Sequence, residues 1–523
     1  MYKYKKISII SHQDEDTYSF LKSCNKNFIK NIDSVFLSSD VEKTSSLEKF
    51  TNLEKIPNPL ANGFDISLFK FNDGNSKDSF ESFSKCKKTF DKMLSFASYN
   101  KSCFTKKENE DLYKQTLSFI LFFLNNKKPD LIINMHIPHN FFEVMLAEIC
   151  EIKHIDHIYL RHFGIPNIYI LQNSLYKNDR SFLNKFNKKL SNKLIFKNIE
   201  KNIHFFRTDN LNIKPKNNKW QNNSLLFYYK KNFPFFYFTR FIVYLKNALK
   251  IFIKTIYLLV FYGKKKSIYY FFLQVDKIKK IKTNYLKNKT SRFFLNYVNF
   301  YSDIYKFKLI EKYRSLSVEP DYNEKFIYYP LWYQPSASSY PFARNFLDNI
   351  SAIKILSNNN KNLKIYVKEH EDIFNLSRHA WVKGAYVRTE NFYKALLKIP
   401  NVKLINILES DSNLISNSFA VATLPTKMLF LAIAKRKPVI LFGHSPLSSL
   451  NCVFSFDNNF TINYLLDKIF KFNFNKIEIK IKKFLLQMTK ICIITDAMNS
   501  FEKINVKKDY SLMAKIIMHY CIK

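Results

Sequence analysis

Short apolar runs that stop at clusters of polar residues recur along the chain, which is the pattern of buried parallel strands opening onto loops. Ile7 to Ser11 is the first such run and ends at His12, Gln13, Asp14, Glu15 and Asp16. Leu131 to Met135 is the next, ending at His136 and His139. Helical spacing follows from Phe141 to Cys150, then a second helix is expected, then a strand at Asn167 to Leu171. Strand, helix, strand in that order predicts a Rossmann-like N-terminal domain. From Lys177 to Tyr313 the sequence turns lysine-rich and aromatic-rich, with helical spacing and no clear strand alternation, which predicts a mostly helical basic insertion.

A second α/β series begins with the strand Phe326 to Leu331 and alternates regularly. The expected elements are a helix at Phe346 to Leu356, a strand at Leu363 to Lys368, a helix at Asn391 to Leu397 and a strand at Val402 to Ile407. A short helix at Leu414 to Asn417, a strand at Ala420 to Leu424, a helix at Lys427 to Lys435 and a strand at Pro438 to Phe442 complete it. The expected division is an N-terminal Rossmann-like domain over 1–176, the helical insertion over 177–320, a C-terminal Rossmann-like domain over 321–490 and a helical tail over 491–523. A length of 523 residues is more than one hydrophobic core supports, in agreement with two domains.

Composition narrows the class. A hydrophobic share of 46% makes the chain globular rather than disordered. Lys+Arg 83 against Asp+Glu 43 gives a formal charge of +40, which draws the chain toward anionic lipid, nucleic acid, or anionic sugars and nucleotides, although AT-rich codon usage also supplies lysine. The seven cysteines are scattered and never spaced as a zinc or disulfide framework, which fits a reducing cytoplasm. The N-terminal apolar run is followed by acidic residues where a cleavage site would stand, so it reads as a first strand and not a signal peptide. The apolar stretch from Phe233 to Tyr262 is interrupted by Arg240, Lys246, Lys250 and Lys254, too many charges for a spanning helix. The three lysines fall on one helical stripe, so 233–266 fits either a helix lying peripherally on an anionic membrane or one packed on a domain with its lysines in water.

In open α/β sheets ligands sit beyond the carboxyl ends of the strands. Four such places in the second half carry suitable groups. Lys368, Glu369 and His370 end one strand, where Lys and His can donate to phosphate oxygens and a carboxylate can hold a sugar hydroxyl. Gln334, Ser336, Ser338 and Ser339 fill a proline-punctuated loop of neutral donors. Asp411 stands at a plausible N-cap with Ser412 in the first turn. Thr426 opens a helix after a buried strand, with Lys427 beside it, where free N–H groups favour an anion. Each also has an ordinary structural reading as a surface pair, a loop or a cap.

Taken together and in order, these segments resemble the capsule polysaccharide synthesis family, which includes bacterial Kdo transferases and related surface-carbohydrate proteins. The likeness rests on Gln334-Pro335, Lys368-Glu369-His370, Arg388 before Phe392-Tyr393, Pro400-Asn401-Val402, Asp411-Ser412, Thr426, Lys437-Pro438-Val439 and Phe442-Gly443. Ile137-Pro138-His139 and Gly164-Ile165-Pro166 are similar to the family as well. The resemblance implies a GT-B-like α/β fold, two Rossmann-like domains facing a cleft. It also implies a nucleotide-sugar donor, a CMP-sugar among the candidates, in the C-terminal domain, and a glycan or glycolipid acceptor at the N-terminal domain. On the family pattern Lys368 and His370 bind the donor's phosphate or acidic sugar. Three motifs depart from the family: Ser336 and Glu371 replace a Glu and a Pro, and Leu431 stands where the family has a glutamate.

Glycosyl transfer needs stabilisation of the leaving nucleotide and a base or nucleophile at the acceptor. Lys368, His370 and the Thr426 helix terminus are the expected donor groups. Asp14, Glu15 and His139 are the catalytic candidates from the opposing domain, with His12 and His136 beside them. No cofactor and no metal are expected, Asp14-Glu15-Asp16 being the nearest approach to a metal-binding pair. The expected activity is glycosyl transfer to a capsule or other surface polysaccharide, at the inner face of the cytoplasmic membrane. A catalytically degenerate scaffold of the same machinery is the alternative. Nucleic-acid binding is disfavoured because no recognisable module is present.

Overall fold

The computed structural model of the chain describes residues 2–11, 14–37, 54–57, 83–98, 106–138, 141–162, 168–174, 242, 245, 249, 308–332, 342–343, 346, 348–358, 363–374, 388–456, 461–472, 492–494 and 510–522. The strands in the first part are β1 (Ile7–Ser11), β2 (Ile32–Leu37), β3 (Glu54–Pro57), β4 (Leu131–Asn134), β5 (Asp156–His162) and β6 (Ile168–Gln172). Those in the second part are β7 (Phe326–Pro330), β8 (Lys364–Lys368), β9 (Val402–Leu404), β10 (Ala420–Thr423), β11 (Val439–Phe442) and β12 (Val453–Phe456). A last strand, β13 (Cys492–Ile494), follows.

Two sheets result. The second is parallel throughout, in the order β12-β11-β10-β7-β8-β9. Numbered from its own first strand this is the doubly wound order 3-2-1-4-5-6. The first sheet has the same order over β3-β2-β1-β4-β5-β6, with β6 antiparallel to β5 and β13 added antiparallel to β6. The chain is therefore α/β with two Rossmann-like sheets. β5 lies where a second helix is expected from sequence. Ile158, Tyr159 and Leu160 are all buried there, because the strand is covered on both faces and so lacks the alternation that marks a half-exposed strand.

Both faces of the first sheet are packed. Ile7, Ile9, Leu131, Ile133, Ile158 and Leu160 look into one core. Ile10, Ile132 and Tyr159 look into another, built with helices α3 (Ser84–Ser98), α4 (Lys106–Lys127) and α5 (Phe141–Ile152). The first core also takes in α1 (Asp14–Ser23), through Phe20 and Leu21, and α2 (Lys26–Ile29), through Phe28. In the second domain the helices between strands are α6 (Asn349–Asn358), α7 (Glu390–Leu397), α8 (Asp411–Asn417), α9 (Lys427–Ala434) and α10 (Ile462–Phe470). The stretch 177–307, where the helical insertion is expected, lies outside the described residues apart from 242, 245 and 249.

The tail expected to be helical opens with β13 and ends in α11 (Ser511–Tyr520). Both belong to the first domain. α11 packs on α1, the Lys3 N–H donates to the Cys521 carbonyl at 2.7 Å, and the Tyr4 and Tyr520 rings stack at 6.0 Å. Cys24, Cys86, Cys150, Cys452 and Cys521 are buried free thiols.

The carboxyl edges of the two sheets meet. Arg161, near the end of β5, stacks its guanidinium over the Phe342 ring at 3.7 Å and donates to the His444 carbonyl at 3.4 Å, just beyond β11. Gly443 makes this seam possible. Its φ of +118° is one that side chains avoid, and a Cβ there would stand 2.4 Å from the Phe342 carbonyl oxygen, which accepts the His444 N–H. Gly443→Ala should therefore cost about 1–3 kcal/mol. A drop in the denaturant midpoint at unchanged slope would show it, and a midpoint equal to the parent's would mean that the two loops separate freely.

Candidate functional site

The end of β8 carries a buried polar cluster. The Glu369 side chain is fully buried, and its Oε2 accepts from Arg388 Nε at 2.7 Å and from the Tyr393 hydroxyl at 2.9 Å. Its Oε1 accepts the His370 N–H at 2.8 Å. Arg388 is buried too, donating from Nη2 to the Trp332 carbonyl at 2.9 Å and lying over the Phe392 ring. Tyr313 completes the cluster, accepting the Glu369 N–H and donating to the Ile405 carbonyl. Burial holds the Tyr313 and Tyr393 phenols well above their ordinary range, so they stay protonated donors.

This geometry corrects the expectation for Glu369: a carboxylate closed inside the domain by Arg388 and Tyr393 cannot hold a sugar hydroxyl. It ties the ends of β7 and β8 to α7. His370 alone of the triplet is half-buried, its ring 6.4 Å from that of Trp332 at the end of β7. Lys368 is also turned inward: its Nζ is buried and donates to Asp411 Oδ1 at 2.7 Å, and that oxygen takes the Tyr328 hydroxyl at 2.7 Å as well. The exposed member of this group is the Asp411 carboxylate, 41% accessible, on the first turn of α8. Ser410, not Asp411, is the N-cap residue, and Ser412 follows in the first turn, half-buried.

Thr426 caps α9, its Oγ1 accepting the Met428 N–H at 3.3 Å and lying 3.4 Å from Thr423 Oγ1. This helix terminus lies at the carboxyl end of β10, beside β7, where the strand order reverses. Lys427 is the first residue of α9. Gln334 and Ser336 lie outside the described residues.

Across the seam, the first domain offers a histidine–carboxylate pair. His136 Nε2 stands 3.1 Å from Glu143 Oε1, the histidine 18% accessible and the glutamate fully buried on the first turn of α5. Asn134 ends β4 beneath it, 0% accessible, its amide nitrogen and oxygen without partners among the described residues. His157 lies within the same layer, and burial pushes its imidazole down to about 4, which keeps it neutral. Asp14 and Glu15, expected in a loop, form the start of α1, because the acidic cluster favours a helix N-terminus. His139 lies outside the described residues.

No protein-family model matches the chain, and no curated protein matches it. Among solved structures it is similar to the beta Kdo 2,7 transferase KpsC of Thermosulfurimonas dismutans, at 16% identity over 44% of this chain and 67% of that one, with a TM-score of 0.23. It is similar to UDP-GlcNAc 2-epimerase of Methanocaldococcus jannaschii in complex with UDP-GlcNAc and UDP, at 12% identity over 98% and 99% of the two chains, TM-score 0.24. A third is the N-terminal domain of Candida albicans trehalose-6-phosphate phosphatase, at 8% identity over 99% and 97%, TM-score 0.26. TM-scores this low carry no argument about chemistry, and the fold stands on the strand orders described above.

Sequence reasoning missed Arg161, the Glu143 partner of His136 and the role of Arg388. Arg388 carried a motif signal, standing before Phe392-Tyr393, but 19 residues separate it from Glu369, so spacing alone does not pair them. Arg161 carried none, being one of several polar residues in the stretch Asp156 to His162, where the pattern predicts a helix. Removing one member of the buried pair leaves the other charge without compensation, so Glu369→Gln should lose about 3–5 kcal/mol in denaturant unfolding. The Glu369→Leu, Arg388→Met double variant should lose less than the two single losses combined. A single-variant loss below about 1 kcal/mol, the value of a surface pair, would overturn this account of the cluster.

Proposed function

We propose that this chain is a glycosyltransferase that moves a sugar, Kdo-like in kind, from a nucleotide-sugar donor to a growing capsule or other surface polysaccharide or glycolipid. The observation that carries the reading is the meeting of two doubly wound sheets at their carboxyl edges, with Arg161 on one side and Phe342 and His444 on the other. Nucleotide ligands occupy such edges at the point where strand order reverses. The motif likeness to capsule synthesis proteins adds the class of donor, with a CMP-sugar as the first candidate.

In this reading the second domain holds the donor. The N-terminus of α9, whose dipole favours an anion, and the His370 imidazole face the leaving nucleotide's oxygens, while Lys368 acts through Asp411, fixing that carboxylate at the rim. The first domain meets the acceptor hydroxyl with His136 as general base, oriented by the buried Glu143 as a carboxylate orients a catalytic imidazole. The nucleotide sugar is a co-substrate, and the mechanism uses no cofactor.

The test is binding and turnover of a panel of CMP-, UDP- and GDP-sugars by the full-length protein. One donor should bind and be consumed, and His136→Ala should lower kcat by about 10²–10⁴-fold with donor affinity retained. A well-folded protein that binds none of the donors would sink the proposal. One observation favours the scaffold reading instead: Leu431, in the position of the family's glutamate, is partly buried against the core of the second domain. Donor binding without turnover is its signature in the same panel.

Peripheral attachment to the cytoplasmic face of an anionic membrane belongs to this proposal. No described helix is long and apolar enough to cross a bilayer. Ile242, Leu245 and Leu249 are helical and exposed, and their spacing places them on one face. The sequence sets Lys246, Lys250 and Lys254 alongside. Sedimentation with phosphatidylglycerol vesicles should deplete the protein from solution, and replacing Ile242, Leu245 and Leu249 with Ser should reverse this. Equal recovery of both proteins in the supernatant would remove the membrane from the account.

A further inference from the structure

Two buried arginines in this molecule have opposite surroundings. Arg388 is matched by the Glu369 carboxylate at 2.7 Å. Arg161 is 5% accessible, yet its partners are the Gln172 side-chain oxygen at 3.5 Å, the His444 carbonyl at 3.4 Å and the face of Phe342. None of these carries a negative charge. Both hydrogen bonds are at the outer limit of length, where a charge-assisted bond is expected at about 2.7–2.9 Å. Burial pulls the Arg161 guanidinium down to about 10, still protonated at neutral pH. A guanidinium has five N–H donors in a planar fork, and among the described residues this one has no acidic partner to offset the cost of its burial.

The position says what is missing. Tyr159 pairs with Asn134 across β5 and β4, and Arg161, two residues on, shares the face of Tyr159 just past the end of β4. Asn134, on that same face, has both amide atoms unpartnered among the described residues. A cation and an amide, each short of partners, thus stand side by side at the carboxyl edge of the first sheet. Beside Gln172 of its own domain, Arg161 is covered by the second domain through Phe342 and the loop that Gly443 brings close.

We infer that Arg161 is the recognition residue for an oxyanion of the substrate, a carboxylate or phosphate held by the guanidinium fork at the seam of the two domains, with Asn134 as the neighbouring polar contact. On binding, the fork exchanges two long hydrogen bonds and an aromatic face for a bidentate ion pair. The inference rests on reading the seam as the substrate cleft, but it requires no turnover.

The oxyanion has two sources, the phosphate of a nucleotide and the carboxylate of an acidic sugar, and calorimetric titration of the full-length protein separates them. One arm compares 5′-CMP with cytidine, the other a free ulosonic acid with its methyl ester. In at least one arm the parent should bind the acid about tenfold or more tighter than its neutral analogue, and Arg161→Gln should abolish that preference without changing affinity for the neutral compound. Arg161→Lys, which keeps the charge and loses the fork, should retain part of it. Preference in the first arm assigns the phosphate, in the second the carboxylate. Absence of any acid preference in the parent, or an undiminished preference in Arg161→Gln, would reduce Arg161 to a clamp between domains. If Arg161→Gln loses its near-ultraviolet circular dichroism, Arg161→Lys takes its place, and there an unchanged preference overturns the proposal. An Arg161-dependent preference in a protein that turns over no nucleotide sugar would leave this inference standing and remove the glycosyltransferase reading, and the converse result would do the reverse.

Discussion

The closed ion pair of Glu369 and Arg388 is the constraint around which the second domain is arranged. Its carboxylate gathers Arg388, the Tyr393 hydroxyl and the His370 N–H, and Arg388 in turn holds the Trp332 carbonyl. The ends of β7 and β8, the start of α7 and the helix over 308–316, through Tyr313, are therefore locked to one another. A buried ion pair is a weak source of net stability, because desolvation offsets most of the attraction. What it supplies is geometry: side chains at the edge of the second sheet cannot drift, and His370 and the Asp411 carboxylate project from a fixed platform.

The seam makes the opposite use of a buried charge. Arg161 is held by contacts that are easily exchanged: a ring face and a long hydrogen bond from the second domain, and a long hydrogen bond to Gln172 of its own sheet. One arginine therefore fixes a domain internally, and the other stands where the domains meet with no acidic partner among the described residues. Rigid platforms with an unsatisfied charge between them suit a cleft whose ligand completes it.

Much of the second domain was legible in the sequence because its strands are short, wholly apolar and separated by amphipathic helices. Phe326 to Pro330, Lys364 to Lys368 and Val439 to Phe442 lie within a residue of where the pattern puts them. In the first domain β5 was missed because Tyr159 and its neighbours are buried on both faces, and β2 and β3 because polar segments with weak periodicity surround them. The site was legible as motifs but not as roles. Lys368, Glu369 and His370 read as three consecutive donor ligands, yet Lys368 turns to Asp411 and Glu369 to Arg388 and Tyr393, so the triplet does not share one crevice. Partners such as Arg388 and Glu143 come from other elements, and only the folded chain shows which of them is near enough to neutralise a given charge.

The return of the chain to its first domain has a consequence for how the molecule is made. β13 completes the first sheet, and α11 seals its core against α1 and Tyr4. On the ribosome, the strands of the second domain emerge and can pair while the first sheet still lacks its edge strand and its covering helix. The order of synthesis is thus the reverse of the order of completion. The first domain is completed after the second, and until Cys492 and the residues of α11 arrive, the apolar face around Tyr4, Phe20 and Leu21 lacks the cover that α11 gives it.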